Sequence, residues 1–312
     1  MKIVFLGTGA AVPTKYRNHS SLCMTYESEV FLFDCGEGTQ RQLIYTNISP
    51  MKINNIFISH LHGDHILGLA GLLQTIGFHG RIEPINIYGP IDTKKTVKNI
   101  LKIGNHSINF KLNIFELDNK EPLKIINTEK YEIYAYEVNH SISCYSYIFK
   151  EKKKPKLNIK KALQLGVKEG PDLKKLKEGS NILLDNGKII YSKDVLLPPK
   201  KGICVAYSGD TTPLEEYGKF LKSINCKILI HEATFDSSKK DNALETMHTT
   251  ISEAVKIAKI ANVETLILTH ISARYNNDDF INIYNKELEN IKNKEQNMEI
   301  ILSYDLMEYI IR

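Results

Sequence analysis

The sequence has few cysteines and no long hydrophobic run, and both features exclude broad classes of protein. Five cysteines are scattered along 312 residues without a Cys-x-x-Cys pair, so neither a disulfide framework nor a structural zinc knuckle is indicated. No run approaches the roughly 18 apolar residues that a membrane-spanning helix requires. The apolar start is broken by Gly7-Thr8-Gly9, and we expect a first strand there instead of a signal peptide. We therefore expect a protein of the reducing cytoplasm with no membrane partner.

The chain also lacks an internal repeat of fixed period and a Pro/Gly/Ser-rich linker. Short β-rich apolar runs alternate with segments of helical periodicity, which predicts an α/β fold. The predicted strands are 2–6, 21–26, 30–34, 53–59, 85–88, 131–138, 143–149, 203–208, 227–231, 264–269 and 299–303. The predicted helices are 66–76, 94–102, 251–260 and 278–291.

One segment carries the whole positive charge of the chain. Residues 150–201 contain 15 lysines and 6 acidic residues, a local net charge of +9, whereas the rest of the chain has 26 basic and 30 acidic residues. The block interrupts the alternation of strands and helices, so we predict one domain over residues 1–312 with an inserted arm at 151–201. Such a block is often only a solvated face. The alternative is a contact for a polyanion, because lysines that neutralise phosphates release counterions.

Four potential metal ligands stand in six positions, where a predicted strand ends and a predicted helix begins. Side chains at the carboxyl ends of strands converge where α/β sheets bind ligands. His60 and His62 are two apart on extended chain and can bind one cation, while Asp64 and His65 can reach a second. Imidazole and carboxylate groups suit Zn²⁺ and related ions, and the absence of thiolates favours a catalytic site. A lone histidine is usually an ordinary residue, but this cluster indicates metal.

Three further potential ligands follow later predicted strands, namely His140, Asp210 and His270. Each has an ordinary explanation by itself, because Asp210 follows a glycine and could form a turn or a helix cap, and either histidine could be a loop residue. Together the three residues complete a shell of seven side chains, which is enough for two metal ions.

The pattern His60-x-His62-x-Asp64-His65, with the three later ligands, resembles the metal motifs of the metallo-β-lactamase superfamily. Other stretches resemble the short form of its ribonuclease Z branch, the tRNA 3′-endonucleases. They are the Pro…Arg-Asn loop at 13–18, the His-Glu-Ala-Thr motif at 231–234, the Met-His-Thr-Thr stretch at 247–250 and the Gly-Pro-containing stretch at 166–179. Thr249 replaces a serine of the family pattern and keeps its hydroxyl. The resemblance covers essentially the whole chain and implies an αββα sandwich with an inserted flexible basic arm.

The resemblance implies two zinc ions per chain, with Mn²⁺ or another divalent ion as the alternative. One ion would be held by His60, His62, His140 and Asp210, and the other by Asp64, His65, Asp210 and His270. Asp64 would also be the general base, and His248 is the candidate proton donor to the leaving 3′-oxygen, oriented by Glu232 or His231. In the alternative, Glu232 orients a ligand imidazole and His248 contacts phosphate.

The implied function is removal of the 3′ trailer from precursor tRNA, with a cut near the discriminator base that leaves a 3′-hydroxyl on the tRNA and a 5′-phosphate on the trailer. Substrate contacts would come from Arg17, Asn18, Gly170, Pro171, Lys174, Lys175 and Lys177. The family forms homodimers, and the predicted helix 66–76 is apolar nearly all round, so it is either buried in the core or pressed against a partner.

Two other functions stay open. The first is another hydrolase of the superfamily, acting on a small ester or phosphodiester, although such a substrate has no obvious use for the basic block. The second is a catalytically inactive RNA-binding or scaffolding protein, although such a protein does not need a complete ligand shell.

Overall fold

The computed structural model describes residues 1–103, 108–198, 202–275, 277–292 and 298–311. The chain divides into two compact units. The first comprises Met1–Ile126, Ile133–Phe149 and Cys204–Arg312, and the second comprises Asn127–Glu132 and Lys150–Ile203. Residues 199–201 of the predicted arm lie outside the described residues. Among the helices of the described ranges, none is long and apolar enough to cross a membrane.

The strands alternate with helices along most of the chain. The strands are β1 (Lys2–Gly7), β2 (Gly9–Ala10), β3 (Ser21–Tyr26), β4 (Glu29–Phe33), β5 (Ile53–Phe57), β6 (Ile85–Pro90), β7 (Leu112–Leu117), β8 (Leu123–Asn127), β9 (Tyr131–Val138), β10 (Cys144–Glu151), β11 (Ile182–Leu183), β12 (Ile189–Ile190), β13 (Cys204–Tyr207), β14 (Ile228–Glu232), β15 (Thr265–Thr269), β16 (Ile271–Ser272), β17 (Glu299–Leu302) and β18 (Glu308–Ile310). The α-helices are α1 (Thr39–Ile44), α2 (Gly63–Ile66), α3 (Leu69–Phe78), α4 (Thr93–Lys102), α5 (Ile159–Gln164), α6 (Pro171–Lys177), α7 (Ser192–Val195), α8 (Glu215–Ser223), α9 (Lys240–Glu245), α10 (Ile251–Ala261) and α11 (Asn277–Lys292).

Two seven-stranded sheets organise the first unit. One sheet has the strand order β18-β1-β3-β4-β5-β6-β7, and the other has the order β17-β15-β14-β13-β10-β9-β8. Strands β4 to β7 run parallel to one another, and so do β13, β14, β15 and β17. Each sheet therefore presents the carboxyl ends of a parallel set, where open α/β sheets bind ligands.

Aromatic side chains from the two sheets pack against each other. The ring centroids of Phe33 and Phe57 on the first sheet are 5.1 Å apart. Phe57 lies 5.1 Å from Tyr147 on the second sheet, and Phe33 lies 6.1 Å from Tyr207. Aromatic pairs in such geometries stabilise a core beyond the area that they bury. This aromatic layer joins the inner faces of the two sheets.

Helices cover the outer faces of both sheets. Buried residues of α3 and α4 join one apolar cluster with β5 and β6, while buried residues of α8 and α10 join another with β14 and β15. Helix α10 begins at a capping box in which Thr250 and Glu253 satisfy each other's backbone N–H groups, and this arrangement stabilises a helix start. The order of the layers is helix, sheet, sheet, helix, so the predicted αββα sandwich is confirmed.

The predicted helix 66–76 is divided in the structure. Helix α2 ends at Ile66 and α3 begins at Leu69, because Gly68 N donates outside the helix, to the Cys35 carbonyl at 2.9 Å. Gly68 also packs directly against the backbone of Gly36. A Cβ atom on Gly68 would lie 2.1 Å from the Gly36 carbonyl oxygen, so no larger residue fits there. Helix α3 buries Leu69, Leu72, Leu73 and Ile76, which is the spacing of one helical face.

Every predicted strand has a counterpart whose ends differ by at most two residues. The prediction missed β7, β8, β18 and the two-residue strands β2, β11, β12 and β16, and among the helices it missed α1, α5, α6, α7, α8 and α9. Strands β7, β8 and β18 lie at the edges of the sheets, and they bury fewer side chains than the central strands. Their sequences therefore show only a weak periodic pattern of apolar residues.

The second unit has a small core of its own. It contains α5, α6, α7 and the antiparallel pair β11–β12. Its buried apolar residues are Ala162, Val167, Leu176, Ile182, Ile190 and Val195. The lysines of α6 are exposed around this core. The role of the arm in binding RNA stays a prediction.

Candidate metal centre

The seven predicted metal ligands come together in the first unit at the carboxyl ends of its strands. His60 and His62 follow β5, Asp64 and His65 lie on α2, His140 follows β9, Asp210 follows β13 and His270 follows β15. One carboxylate oxygen, Oδ2 of Asp210, lies near the middle of this cluster. It is 3.6 Å from His60 Nε2, 3.4 Å from His65 Nε2 and 3.2 Å from His270 Nε2.

The ligand atoms form two groups on either side of this oxygen. In one group, His62 Nδ1 is 3.0 Å from His60 Nε2 and 3.3 Å from His140 Nε2. The other group contains Asp64, His65 and His270, whose potential ligand atoms all lie within 4.8 Å of one another. These two groups are the ones predicted from the sequence.

Hydrogen bonds on the outer side of the cluster fix the histidine tautomers. His65 Nδ1 lies 2.8 Å from the Asp34 carboxylate, and His140 Nδ1 lies 3.0 Å from the Met247 carbonyl. Both partners accept, so both Nδ1 atoms donate. His270 Nδ1 lies 2.9 Å from Thr234 Oγ1, a hydroxyl that already donates to a carboxylate. His270 therefore donates as well.

This arrangement directs unprotonated Nε2 atoms toward each other. The Nε2 atoms of His65 and His270 are 3.2 Å apart, and neither neutral ring has a proton left to place between them. Two facing lone pairs repel unless a cation binds to both. Without a cation, burial opposes the charged form of His65, while the Asp210 and Asp34 carboxylates raise its pKa well above the usual value. Protons and metal ions compete for such lone pairs, and the donor set therefore fits a divalent metal.

Asp34 supports the centre, and the sequence analysis missed it. This fully buried carboxylate directly follows β4. Its Oδ2 accepts from the Ser59 and Tyr207 hydroxyls at 2.8 and 2.7 Å, in addition to His65. Asp34 was the last residue of a predicted strand, so the rule that found the other ligands could have identified it.

Glu232 is a second buried carboxylate that organises the region. Its Oε1 accepts from Thr211 N and His248 Nδ1, each at 2.9 Å. Its Oε2 accepts from Thr234 Oγ1 at 2.7 Å and from Thr249 N at 3.1 Å. These partners lie on three separate segments, at Thr211, at Thr234 and at His248–Thr249, so one side chain fixes their relative positions.

His248 lies beside the two ligand groups. Its Nδ1 is 4.0 Å from Asp210 Oδ2, and its ring centroid is 5.3 Å from that of His270. Burial disfavours its charged form, but the Glu232 carboxylate outweighs burial and raises the pKa of His248 to about 9. His231 donates from Nδ1 to the Glu232 carbonyl at 2.7 Å. Of the two predicted orienting residues, the structure therefore brings Glu232 to His248.

The predicted substrate residues of the Pro…Arg-Asn loop are tied into the fold. Arg17 is only 5% exposed, and its Nη1 donates to Thr8 Oγ1 at 2.7 Å and to the Ser303 carbonyl at 2.9 Å. Asn18 Nδ2 donates to the Glu37 carbonyl at 2.8 Å. The Arg17 guanidinium therefore anchors the loop to Thr8 and to the Ser303 backbone.

Two cavities are lined by residues of the first unit. One has a volume of about 580 Å³ and is lined by Lys15, Tyr16 and Arg41, among others. The other has a volume of about 490 Å³ and is lined by His140 and Ser141, among others. Cations and exposed rings in the first cavity suit phosphate and base contacts.

The remaining predicted substrate residues lie in the second unit. Gly170 precedes α6 with a φ of 140°, a conformation that favours glycine, and Pro171 is the first residue of α6. Lys174 and Lys177 are exposed, and Lys175 forms an ion pair with a neighbouring carboxylate at 2.9 Å.

Comparison with known proteins gives one partial and several full-length similarities. The model of a family described as anti-Pycsar protein Apyc1 matches residues 1–154, which is just under half of the chain. The chain is 69% identical over 317 residues to the ribonuclease Z of Methanococcus aeolicus, covering 100% of this chain and 98% of the relative. It is 57% identical over 312 residues to the ribonuclease Z of Methanocaldococcus jannaschii, covering 100% and 98%. Its structure matches human tRNase Z, short form, with a TM-score of 0.70, 26% identity and full coverage of both chains.

The two covered sheets and the histidine–aspartate cluster define a protein of the metallo-β-lactamase fold with a site for divalent metal. The chain is 69% and 57% identical to two ribonuclease Z proteins over its full length, and it therefore belongs to the ribonuclease Z family. The resemblance that the sequence motifs predicted is confirmed.

Removing metal should destabilise the protein, because the facing Nε2 atoms of His65 and His270 then lose the cation between them. A ligand present at 1,000 times its dissociation constant stabilises the folded state by about 4 kcal/mol. We therefore expect a strong chelator to lower the thermal unfolding temperature and added zinc to restore it, as measured by calorimetry. His270→Ala should show a smaller chelator effect than the unmodified protein. An unfolding temperature that changes with neither chelator nor added zinc would contradict the presence of a metal centre.

Proposed function

We propose that this protein is a metal-dependent endoribonuclease that removes the 3′ trailer from precursor tRNA. The observation that carries the proposal is the seven-residue cluster with its fixed tautomers, in a chain that is 69% identical over its full length to a ribonuclease Z. The proposed cut lies near the discriminator base. It leaves a 3′-hydroxyl on the tRNA and a 5′-phosphate on the trailer.

We propose two Zn²⁺ per chain, with Mn²⁺ or another divalent ion as the alternative. The residues that would hold the first ion are His60, His62, His140 and Asp210. The residues that would hold the second are Asp64, His65, Asp210 and His270. Two bound cations supply positive charge that stabilises the charge developing on the oxygens of the scissile phosphate.

Asp64 and His248 are the proposed acid–base pair. The Asp64 carboxylate is held by a hydrogen bond from Ala11 N to its Oδ2 at 2.8 Å, and as general base it accepts the proton of the attacking water. His248 carries a proton because Glu232 stabilises its charged form, and it gives this proton to the leaving 3′-oxygen. The Glu232 hydrogen bond also fixes the orientation of the His248 ring.

The second unit is the proposed tRNA-binding arm. Its α6 presents exposed lysines after Gly170 and Pro171, and its net charge is strongly positive. Lysines that neutralise backbone phosphates bind RNA independently of sequence. Asn18 and the neighbouring Lys15 are the proposed contacts of the Pro…Arg-Asn loop. The proposed location is the cytoplasm, since the five free cysteines are all buried thiols of a kind that a reducing compartment preserves.

Replacing Asp64 should abolish cleavage, because the change removes a ligand and the general base together. We expect Asp64→Ala to lower kcat on an end-labelled precursor tRNA by more than the roughly 10⁴-fold that an acid–base group alone contributes. The exposed Asp92 serves as the matched control, and Asp92→Asn should cleave like the unmodified protein. Robust cleavage by Asp64→Ala would rule out this mechanism, whereas a precursor that the unmodified protein leaves uncut would rule out the function.

Deleting the arm should separate tRNA binding from chemistry. We expect a chain in which 152–193 is replaced by a short Gly/Ser linker to cleave precursor tRNA poorly but to hydrolyse a small chromogenic phosphodiester at the unmodified rate. Raising the salt concentration on the intact protein should mimic the deletion, since phosphate contacts are salt-sensitive. If precursor cleavage survives at ordinary salt, or if diester hydrolysis is lost as well, the arm is not the tRNA-binding element.

We also propose a homodimer. The apolar side chains of α3 are largely buried within the first unit, but Phe78 at its end is 78% exposed, Leu67 just before its start is 54% exposed and Ile44 of α1 is 76% exposed. Contiguous exposed apolar side chains mark interaction surfaces, and we propose that these three residues belong to such a surface. Light scattering at micromolar concentration should give twice the chain mass of 35.6 kDa, and Phe78→Lys should shift the mass toward the monomer. A monomer mass for the unmodified protein would contradict the dimer.

A further inference from the structure

One carboxylate outside the metal cluster connects three parts of the chain that surround the centre. Asp305 lies in the loop between β17 and β18. Its Oδ1 accepts hydrogen bonds from Thr8 N at 3.0 Å and from Thr8 Oγ1 at 2.7 Å. Its Oδ2 accepts from Asn18 N at 2.7 Å and from Gln42 Nε2 at 3.0 Å. A single side chain thus joins the segment after β1, the Pro…Arg-Asn loop and α1.

The Arg17 guanidinium fixes which groups donate and which accept in this hydrogen-bond network. Arg17 Nη1 donates to Thr8 Oγ1, and a guanidinium can only donate. The Thr8 hydroxyl must then use its own proton toward Asp305. Thr8 is fully buried, and its side chain therefore has one arrangement that satisfies all partners.

The segment that begins at Thr8 reaches two of the proposed ligands. The Thr8 carbonyl accepts from Ile271 N at 2.8 Å, directly after His270. Strand β2 continues this contact by pairing with β16, so that Gly9 lies opposite Ile271. At the end of the segment, Ala11 N donates to Asp64 Oδ2 at 2.8 Å. The segment therefore holds the Asp64 carboxylate and the backbone next to His270.

Both contacts depend on unusual backbone conformations. Ala11 has a φ of 53° and His270 has a φ of 59°. For residues other than glycine, this left-handed region is sterically unfavourable. Such conformations persist only where the surrounding structure holds them. Two of the four hydrogen bonds to Asp305 come from Thr8 and anchor the segment at the end opposite Ala11, while the other two hold Asp305 itself in place.

We propose that Asp305 is a positioning residue for the metal centre. It acts through the segment from Thr8 to Ala11 and keeps Asp64 and His270 in the geometry that binds the ion they share with His65. The inference rests on the proposed metal centre and adds a residue that none of the ligand motifs contains. Its action is on ion affinity and on the placement of the Asp64 carboxylate.

The test is Asp305→Asn in the full-length protein. Asparagine keeps the shape but replaces one acceptor oxygen by an amide donor, so two of the four hydrogen bonds are lost. Mutation of a residue that hydrogen-bonds to a metal ligand typically lowers metal affinity or activity about 10- to 100-fold. We expect zinc affinity at one of the two positions to fall at least about tenfold, as measured by competition with a chromogenic chelator. With a small phosphodiester, kcat should fall at limiting zinc while KM changes little, and excess zinc should restore kcat.

A matched control separates positioning from general destabilisation. Asn86 on β6 donates to Asn55 Oδ1 and accepts from Asn113 Nδ2, each at 3.0 Å. Asn86→Ala also removes two side-chain hydrogen bonds from the first unit, and it should lower the unfolding temperature without changing zinc affinity. If Asp305→Asn loses stability but binds both zinc ions with unmodified affinity, the positioning role is overturned.

Two further variants keep the proposal testable if Asp305→Asn does not fold. Thr8→Val removes one hydroxyl at nearly constant volume and should reproduce the loss of zinc affinity to a smaller extent. Thr8→Ser keeps the hydroxyl and should bind zinc like the unmodified protein. Equal zinc affinity in Thr8→Val and Thr8→Ser would overturn the inference. An unmodified protein that binds no zinc would instead overturn the proposed function, so the two failures are distinguishable.

Discussion

The metal centre depends on one constraint, which is that four of its five histidines donate outward from Nδ1 and present Nε2 inward, whereas His62 presents Nδ1. His65, His140 and His270 each meet an acceptor on the outer side of the cluster. A fourth ring follows the same rule, because His60 Nδ1 lies 3.0 Å from the Ser59 hydroxyl, which itself donates to Asp34. Without these partners the rings could rotate or change tautomer, and the inward lone pairs would be lost.

The fold supplies the partners from both sheets. Asp34 follows β4 of the first sheet, and Glu232 ends β14 of the second. Each carboxylate is buried and satisfied by several donors. A buried carboxylate is tolerated when it is hydrogen-bonded in this way. The centre is therefore fixed from opposite sides by carboxylates that belong to different sheets.

The sequence was sufficient to predict which seven side chains come together, but it identified only some of the residues that hold them in place. The ligands were predictable because each follows a strand, and strand ends meet at one edge of a sheet. The tautomers were not, because the partner of His270 is Thr234, a residue 36 positions away that nothing in its local sequence marks as a hydrogen-bond acceptor. The burial of Arg17 was equally hidden, since a charged residue in a loop is normally exposed. The break at Gly68 goes with a backbone hydrogen bond to Cys35, far away in the sequence, which helical periodicity does not reveal.

The two halves of the chain contribute different residues to the proposed site. Residues 1–154, which the anti-Pycsar family model matches, contain Asp34 and the ligands from His60 to His140. They lack Asp210, the carboxylate that lies between the two ligand groups. They also lack His248 and Glu232, which together place a charged imidazole beside the centre. The family model thus matches only part of the proposed site, without its central carboxylate and its candidate proton donor. Asp210, Glu232 and His248 lie in the second half of the chain, which the full-length similarity to ribonuclease Z also covers.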